Sequence, residues 1–362
     1  MRTWHHVSHR DPCAICGRHD WCAVSADGAW ALCRRVDNGA GVRRVDRAGA
    51  DYWLYRLDGH ALCRQSRIEL PSQPRIERAD PVTMDRVYRA LLAALPLSST
   101  HRQALRQRGL GDVEILRRHY RTLSLEGRAA FAKRIVDWWG ADVCTRIPGF
   151  YVAERDGQRW WSLAGAAGLL IPVRDLDGYI VALKVRADDP GDGPRYTTVS
   201  SAKHGGSSPG AQVHVPLFDG VRGDTVRLTE GELKADIAIA LSGILTVSIP
   251  GVAMWRRALP VLQTLQGTQI LLAFDSDWRT NPRVAQALGQ AAYALVKAGY
   301  EVKVEDWDAS EGKGIDDLLA AGHRPRLRCA ALVLGAIVRG RAQPYMYQMR
   351  TISSEEARPW HA

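Results

Sequence analysis

Two groups of residues in this sequence have the types and spacing to do chemistry. The first is sulfur. Cys13 and Cys16 form a C-x2-C knuckle, Cys22 follows after five residues, and Cys33 after ten more. The segment CAVSADGAWALC between the last two has a hairpin signature with Asp27-Gly28 at the turn, which would return Cys33 toward Cys22 and the knuckle. Four thiolates gathered in this way suit one tetrahedral, structural Zn2+ with Zn–S bonds of about 2.3 Å. His19 competes as fourth ligand. Cys22 is preferred, because thiolate is the softer donor and completes an all-cysteine set. Cys63, Cys144 and Cys329 stand alone and read as inert packing residues.

The second group is carboxylate. Glu230 closes the apolar run VRLTE, Asp275 and Asp277 close QILLAFDSD, and Asp316 and Asp317 open GIDDLLAAG. Each acid has an ordinary structural reading: Glu230 as a helix cap, Asp275 as a turn residue, Asp316 and Asp317 as complements to a helix dipole. Jointly they fall where successive strands end, the edge at which open α/β sheets bind ligands. Carboxylates converging there repel one another unless a hard cation joins them. Mg2+ takes oxygen ligands and shares them with substrate phosphates, so Mg2+ or Mn2+ is the expected catalytic metal.

The elements that must position these acids are legible from periodicity. From residue 225, apolar strands (VRLTE, ILTVSI, QILLAFD, YEVKVED) alternate with amphipathic helices, which predicts a parallel sheet covered on both faces. Residues 83–145 carry helical spacing. Residues 150–222 read as strands, WWSLAGAAGLLIPV and YIVALKVRA, with Asp177-Gly178 turning between them. The expected organisation is α/β: a zinc-ribbon domain over 1–62, a Pro-rich linker over 63–82, a helical and strand subdomain over 83–222, the parallel-sheet domain over 223–335 and a basic tail over 336–362.

Charge follows this division. The 362 residues carry a net charge of +10 from 49 basic and 39 acidic side chains. Segment 81–150 holds 12 basic and 6 acidic residues, whereas 225–320 holds 9 basic and 12 acidic. A basic body around an acidic island suits a nucleic-acid enzyme that holds metal ions. Arg-rich solvated faces would give the same totals. Ordinary globular composition excludes disorder throughout. No apolar run reaches a membrane span and the N-terminus has no signal-peptide core, so a cytoplasmic protein without membrane partners is expected. Arg18, Trp21, Trp30, Arg34 and Arg35 put cations and aromatics on the small Cys-rich module, a surface able to stack on single-stranded bases. One of Trp21 and Trp30 is expected to be exposed, the other in the core.

TEGELKADIA, FDSD and KGIDDLL together resemble the TOPRIM domain, and TEGELKAD followed by VSIPG resembles the primases of phages and mobile elements. DGYIVALKVRADDPGDGPRYTTVSS resembles the polymerase subdomain of DnaG-type primases, which also begin with a zinc ribbon and a linker. The resemblance spans about residues 10–325. It implies a zinc ribbon plus a DnaG-like core containing a TOPRIM sheet. The implied activity is DNA primase: short RNA primers made from NTPs on a single-stranded DNA template, for a phage or mobile element. In that reading Asp275, Asp277 and Asp316 hold Mg2+, and Glu230 is a further ligand or the general base. Lys184, Arg186 and Arg195 hold template or triphosphate, and Lys234 neutralises phosphate. No G-x4-G-K-[ST] loop occurs, so a replicative helicase is expected as a separate partner.

The sequence departs from the family pattern. Its ribbon lacks the usual histidine and closing C-x2-C. Lys234 stands where many TOPRIM primases have Asp, and Gly314 replaces the first acid of the last D-x-D. Ser200 comes one residue later than usual after Tyr196. The alternative functions are a TOPRIM nuclease using the same metals and a non-catalytic single-strand-binding replication protein.

Overall fold

The structure, a computed structural model, describes residues 3–36, 41–46, 51–57, 76–191, 193–218, 220 and 223–339. Three sheets and a hairpin organise it. The first sheet is a small antiparallel one, built from β1 (Trp4–His6), β2 (Ala23–Ser25), β3 (Trp30–Cys33), β4 (Val42–Val45) and β5 (Asp51–Arg56) in the order β1-β2-β3-β5-β4. The turn between β2 and β3 holds Asp27 and Gly28, as the hairpin signature required. Cys63 and most of the expected linker lie outside the described residues. The first long helix begins at Pro81, inside the span read as linker: the Asp80 carboxylate accepts from the Thr83 N–H at 2.9 Å, and Pro81 has no N–H to leave unpaired.

Helices α1 (Pro81–Ala94), α2 (Ser99–Gln107), α3 (Asp112–Arg117), α4 (Arg128–Trp139) and α5 (Ala141–Thr145) fill the region with helical spacing, interrupted by one short strand, β6 (Arg121–Leu123). A hairpin of β7 (Phe150–Arg155) and β8 (Gln158–Leu163) follows, and then β9 (Gly168–Arg174), β10 (Ile180–Ala187) and β11 (Tyr196–Thr198). The second sheet runs β11-β10-β9-β6, antiparallel throughout. The run WWSLAGAAGLLIPV, expected as one strand, is split between the hairpin and this sheet. The break falls at residues 164–167, where Gly165 takes φ +116°; Gly168 opens the new strand at φ +154°, and a Cβ there would collide with the Arg186 carbonyl across the sheet.

The third sheet is the one the alternation predicted. Its strands are β12 (Thr225–Glu230), β13 (Thr246–Ile249), β14 (Gln269–Ala273), β15 (Glu301–Asp306) and β16 (Arg326–Cys329), in the order β13-β12-β14-β15-β16. The first four are parallel, and β16 adds an antiparallel edge that the alternation did not foretell. Helices α6 (Glu232–Ser242), α7 (Ala258–Leu265), α8 (Pro282–Lys297), α9 (Ile315–Ala320) and α10 (Ala330–Arg339) accompany it. Its core gathers Leu228, Val247, Ile270, Leu272, Trp255 and Leu288. Cys144 is buried as expected, but Cys329 is exposed on β16, because a short polar edge strand has no second layer over it. Among the described residues no helix is long and apolar enough to cross a membrane.

The second and third sheets are joined by α6. Leu233 and Ile237 pack with Leu105, Leu110, Ile115, Leu169 and Ile171 from the helices and β9. Beside this apolar contact lies a buried polar hub on Asp236. Tyr120 Oη donates to its Oδ2 at 2.5 Å, His214 Nε2 lies 3.4 Å from Oδ1, and the Arg118 guanidinium is 3.5 Å away. His214 Nδ1 accepts from the Arg174 N–H at 3.0 Å, so Nε2 carries the proton that faces Asp236. The His214 backbone also exchanges hydrogen bonds with Ser248 on β13. Burial alone would raise the Asp236 pKa, but Arg118, His214 and Tyr120 hold it at about 2.

Asp236→Asn is therefore expected to destabilise the protein by about 3–5 kcal/mol in urea unfolding, the cost of removing one partner from a buried ion pair. The folded pKa lies below the ordinary value of about 3.9, so this contribution is fully present above that pH. The stability gap between wild type and variant should shrink as the pH falls toward 2.

Candidate functional site

The four cysteines of the first 33 residues meet. Their sulfurs all lie within 4.8 Å of one another; Cys16 and Cys22 are 3.7 Å apart, Cys22 and Cys33 4.0 Å. Sulfurs around a tetrahedral zinc with 2.3 Å bonds stand about 3.8 Å apart, so the set fits that ion. The Arg35 and Val36 N–H groups point at Cys33 Sγ, each at 3.4 Å, the kind of donor a thiolate needs. His19 is not in the group; its ring stacks on His9 with centroids 3.5 Å apart. Cys13, Cys22 and Cys33 are buried together with Val7, Ala31, Trp53 and Tyr55, so the cluster is part of the module's core. Trp21 is 62% exposed with Arg35 stacked over it at 5.5 Å, whereas Trp30 is partly buried under Arg56.

Glu230, Asp275 and Asp316 come together around Lys234, whereas the Asp277 Oδ2 accepts from Asn281 Nδ2 at 3.2 Å. Glu230 is the last residue of β12. Gly231, at φ +87°, turns the chain directly into α6, so Glu230 is held at the sheet edge while its Oε2 accepts from the Val252 N–H at 3.2 Å. Asp275 and Asp277 follow β14. The loop they form is tied to the one before α9: Ser276 N–H donates to the Lys313 carbonyl at 3.0 Å, and Ser276 Oγ to the Gly312 carbonyl at 3.1 Å. That tie brings Asp316 alongside. Asp317 serves as the cap of α9, its carboxylate accepting from the Gly314 N–H at 3.2 Å, the ordinary structural reading for that residue.

Cations sit among these acids. Lys234, one turn along α6 from Glu230, donates to Asp275 and lies 3.8 Å from Glu230. Arg108 donates to the buried Asp316 and lies 3.9 Å from Asp317; Lys313 is 3.7 Å from Asp275. Burial works against the Lys234 charge, but Glu230 and Asp275 more than offset it and hold its pKa above the ordinary lysine value. Burial pushes Glu230 and Asp316 up, against the pull of Lys234 and Arg108 respectively. Neither Arg108 nor Lys313 was singled out from sequence. Lys313 stands in the same KGIDDLL run as the acids and was discoverable. Arg108 stands 208 residues from its partner, in a helical region crowded with arginines.

The carboxylates retain free acceptors. Asp277 Oδ1 and Asp316 Oδ1 are buried and have no hydrogen-bond partner. Among the described residues no three carboxylates bring their oxygens together as closely as the four cysteines bring their sulfurs. Of the basic residues expected to face template or triphosphate, Lys184 is buried and donates to Glu232 at 2.7 Å, so it bridges β10 to α6. Arg186 is half-buried, and Arg195 is exposed at the start of β11. Tyr196, which pairs with Arg186 in the sheet register, adjoins Arg108 and so connects this strand to Asp316. Glu230 also borders a cleft of about 580 Å³, lined by Trp21, Arg34 and Arg35 of the cysteine module and by Met254, Trp255 and Arg283 beside the parallel sheet.

Residues 222–324 match a family model described as a domain of unknown function, DUF3854. No curated protein matches the sequence. Among solved structures, the chain is similar to the RNA polymerase domain of Mycobacterium tuberculosis primase DnaG in complex with a double-stranded DNA oligomer with a 6-nucleotide overhang. The identity is 14% and the TM-score 0.52, over 76% of this chain and 96% of that one. It is similar at 15% identity and TM-score 0.50 to a DnaG primase catalytic domain bound to single-stranded DNA, over 75% and 93% of the two chains. The zinc-binding and RNA polymerase domains of the Aquifex aeolicus primase align at 15% identity and TM-score 0.49, over 76% of this chain and 64% of that one. At these identities the likeness is one of fold: a mixed α/β chain with a cysteine cluster, built like a DnaG primase core.

One Zn2+ per chain is expected by elemental analysis of the purified protein. Cys22→Ala should lose it and unfold the N-terminal module, since metal binding energy there is folding energy. His19→Ala should keep it. Zinc retained in Cys22→Ala and lost in His19→Ala would reverse the assignment.

Proposed function

We propose that this chain is a DNA primase of the DnaG type, making short RNA primers from NTPs on single-stranded DNA, with the parallel-sheet domain as its TOPRIM unit. The observation that carries this reading is the gathering of Glu230, Asp275 and Asp316 about Lys234 at the end of the parallel sheet, in a fold similar to DnaG cores. Asp277, Asp316 and Asp275 would hold a divalent cation. When bound, that cation stabilises charge on the transferring phosphoryl group, commonly the largest catalytic contribution in such reactions. Glu230, its pKa raised by burial, is placed to take the proton of the primer 3′-hydroxyl. Arg195 and Arg186 would orient the triphosphate or template backbone, Arg through bidentate contact. The Lys184–Glu232 pair gives Lys184 a positioning role, locking β10 to the helix that carries Lys234.

The cysteine module would guide the template. Trp21 with Arg35 offers a stacking face at the mouth of the cleft that Glu230 borders. A separate helicase and an origin in a phage or mobile element complete the proposal.

Asp277→Asn is expected to lower primer synthesis by ~100-fold or more while leaving single-stranded DNA binding largely unchanged, because template and cation are held by different side chains. The assay is extension of labelled NTPs on single-stranded templates with Mg2+ or Mn2+, with products sized on a gel. Template cutting without templated product, abolished by the same substitution, would assign the chain to the nucleases instead. Affinity for single-stranded DNA should fall steeply between about 50 and 200 mM salt through counterion release, as fluorescence anisotropy would show.

A further inference from the structure

Two cavities adjoin where the cysteine module meets the parallel-sheet domain. One, of about 570 Å³, is lined by Arg18, His19, Asp20 and Arg35 of the module and by Asn281 and Arg283 at the start of α8. The other is the cleft of about 580 Å³ that Glu230 borders, and Arg35 and Arg283 line both. Three guanidiniums thus share the first cavity with one carboxylate, and that carboxylate is committed. Asp20 Oδ2 lies 2.5 Å from Arg35 Nη2, and the Asp20 carbonyl accepts from Arg35 Nη1 at 2.6 Å. Among the described residues, no hydrogen bond or ion pair reaches the guanidinium of Arg18 or Arg283. Burial and the charge of Arg35 both disfavour the Arg283 cation, and the sulfurs of Cys16, Cys33 and Cys22 offset this only in part. Guanidinium forks with free N–H groups match phosphate oxygens.

The cleft supplies the complementary surface. Trp21 is held at φ +62°, in the left-handed region that a bulky residue occupies only under constraint. Its indole is 62% exposed, with Arg35 over the ring at 5.5 Å. Trp21 and Glu230 line this same cleft. Cations for phosphate, an indole for a base and a carboxylate for a hydroxyl are therefore the walls of two adjoining cavities. A nucleic-acid strand carries one charge per nucleotide and meets cations spread along its length. Three arginines on one cavity suit a polyphosphate instead, whose charge is gathered at one end of a nucleotide.

We propose that this junction holds the nucleotide that starts a chain, with its 5′-triphosphate among Arg18, Arg35 and Arg283, its base stacked on Trp21 and its 3′-hydroxyl toward Glu230. The pairing edge of the base is left to the template. The proposal rests on the polymerase reading, in which Glu230 takes the proton of that hydroxyl. The 3′ oxygen then bonds to the α-phosphorus of the next nucleotide, and pyrophosphate leaves from that second nucleotide. The first nucleotide keeps its own triphosphate, so the triphosphate needs a place of its own.

The test measures binding of ATP and GTP to the full-length, zinc-loaded chain by isothermal titration calorimetry without added Mg2+ or Mn2+. Inorganic tripolyphosphate should displace the nucleotide from wild type, and adenosine and guanosine should bind at least ~10-fold more weakly than their triphosphates. Arg18→Gln and Arg283→Gln should each weaken triphosphate binding by ~10-fold or more, the loss of one charged hydrogen-bonding partner. Unchanged affinity in both variants, shown by circular dichroism and zinc content to be natively folded, would overturn the proposal. So would a tripolyphosphate that fails to compete for wild type, which needs no variant. Variants that lose affinity for an oligo(dT) strand but not for ATP or GTP would give the cavity to the template and reject the assignment. Primer synthesis separates the first nucleotide from the incoming one. Arg283→Gln should raise the KM for starts from NTPs alone, and a dinucleotide with a 5′-hydroxyl, supplied in place of the first nucleotide, should remove the difference from wild type. A difference that persists with the dinucleotide rejects the triphosphate assignment alone. The expected binding pattern without any templated product rejects the polymerase reading alone.

Discussion

Repulsion between carboxylates at the end of a parallel sheet is the constraint around which this molecule is built. Unit charges about 4 Å apart interact by about 4 kcal/mol at an effective dielectric near 20, so several uncompensated acids would cost much of a domain's stability. The chain meets this cost from three directions. Lys234 comes from the helix directly after the first acid, Lys313 from the loop directly before the last, and Arg108 from the helical region far upstream. The third is the most consequential. Arg108 reaches a buried partner 208 residues away, so the acidic edge is electrostatically complete only when the two halves of the core are docked.

Helix α6 coordinates that docking. Glu232 and Asp236 stand four residues apart on it, and both are buried against the antiparallel half. Glu232 receives Lys184 of β10, and Asp236 receives Tyr120, His214 and Arg118. Lys234 stands two residues from each of them and faces Glu230, at the end of β12, and Asp275. A two-residue offset turns a helix by about 200°, so two faces of one helix divide the labour. One face fixes the two sheets together; the other arranges charge for chemistry. The EGELKAD run encodes both faces in seven residues.

Much of this was legible in the sequence because local rules and the final structure agree. The cysteine spacing, with a hairpin turn inside it, needed only short-range geometry to close. Glu230 and Asp275 were legible because they follow apolar strands, and the ends of parallel strands lie along one edge, whereas Asp316 opens a helix and is brought in by the loop that Ser276 ties down. The lysine at 234 was legible as a neighbour of Glu230, since residues four apart on a helix share a face. Its engagement with Asp275 was not, because that contact depends on how β12 and β14 lie side by side. Arg108 and the Asp236 hub were illegible for the same reason, more strongly: their partners are set by the docking of two sheets, and no periodicity reports it. The split of WWSLAGAAGLLIPV was missed because apolar character alone does not reveal that the backbone leaves the extended region at Gly165. The edge strand β16 was missed because RLRC is short and polar, with no buried face to impose a pattern.

A lysine among these carboxylates behaves differently from a bound metal ion. A lysine introduced among carboxylates contributes one positive charge without the dehydration that Mg2+ resists, and it requires no metal supply. In return it fixes the charge in one place. A divalent ion can be shared with an incoming triphosphate and carried through the reaction, whereas an ammonium on a four-carbon stem remains bonded to Asp275. The built-in cation therefore suits a constant role, holding Glu230 and Asp275 together, and Asp316 Oδ1 is left without a hydrogen-bond partner. On this division of roles, Gly314 is as much a part of the site as the lysine. A side chain at 314 would press on Asp316 Oδ1 and on the stem of Lys234, so the glycine leaves room for both.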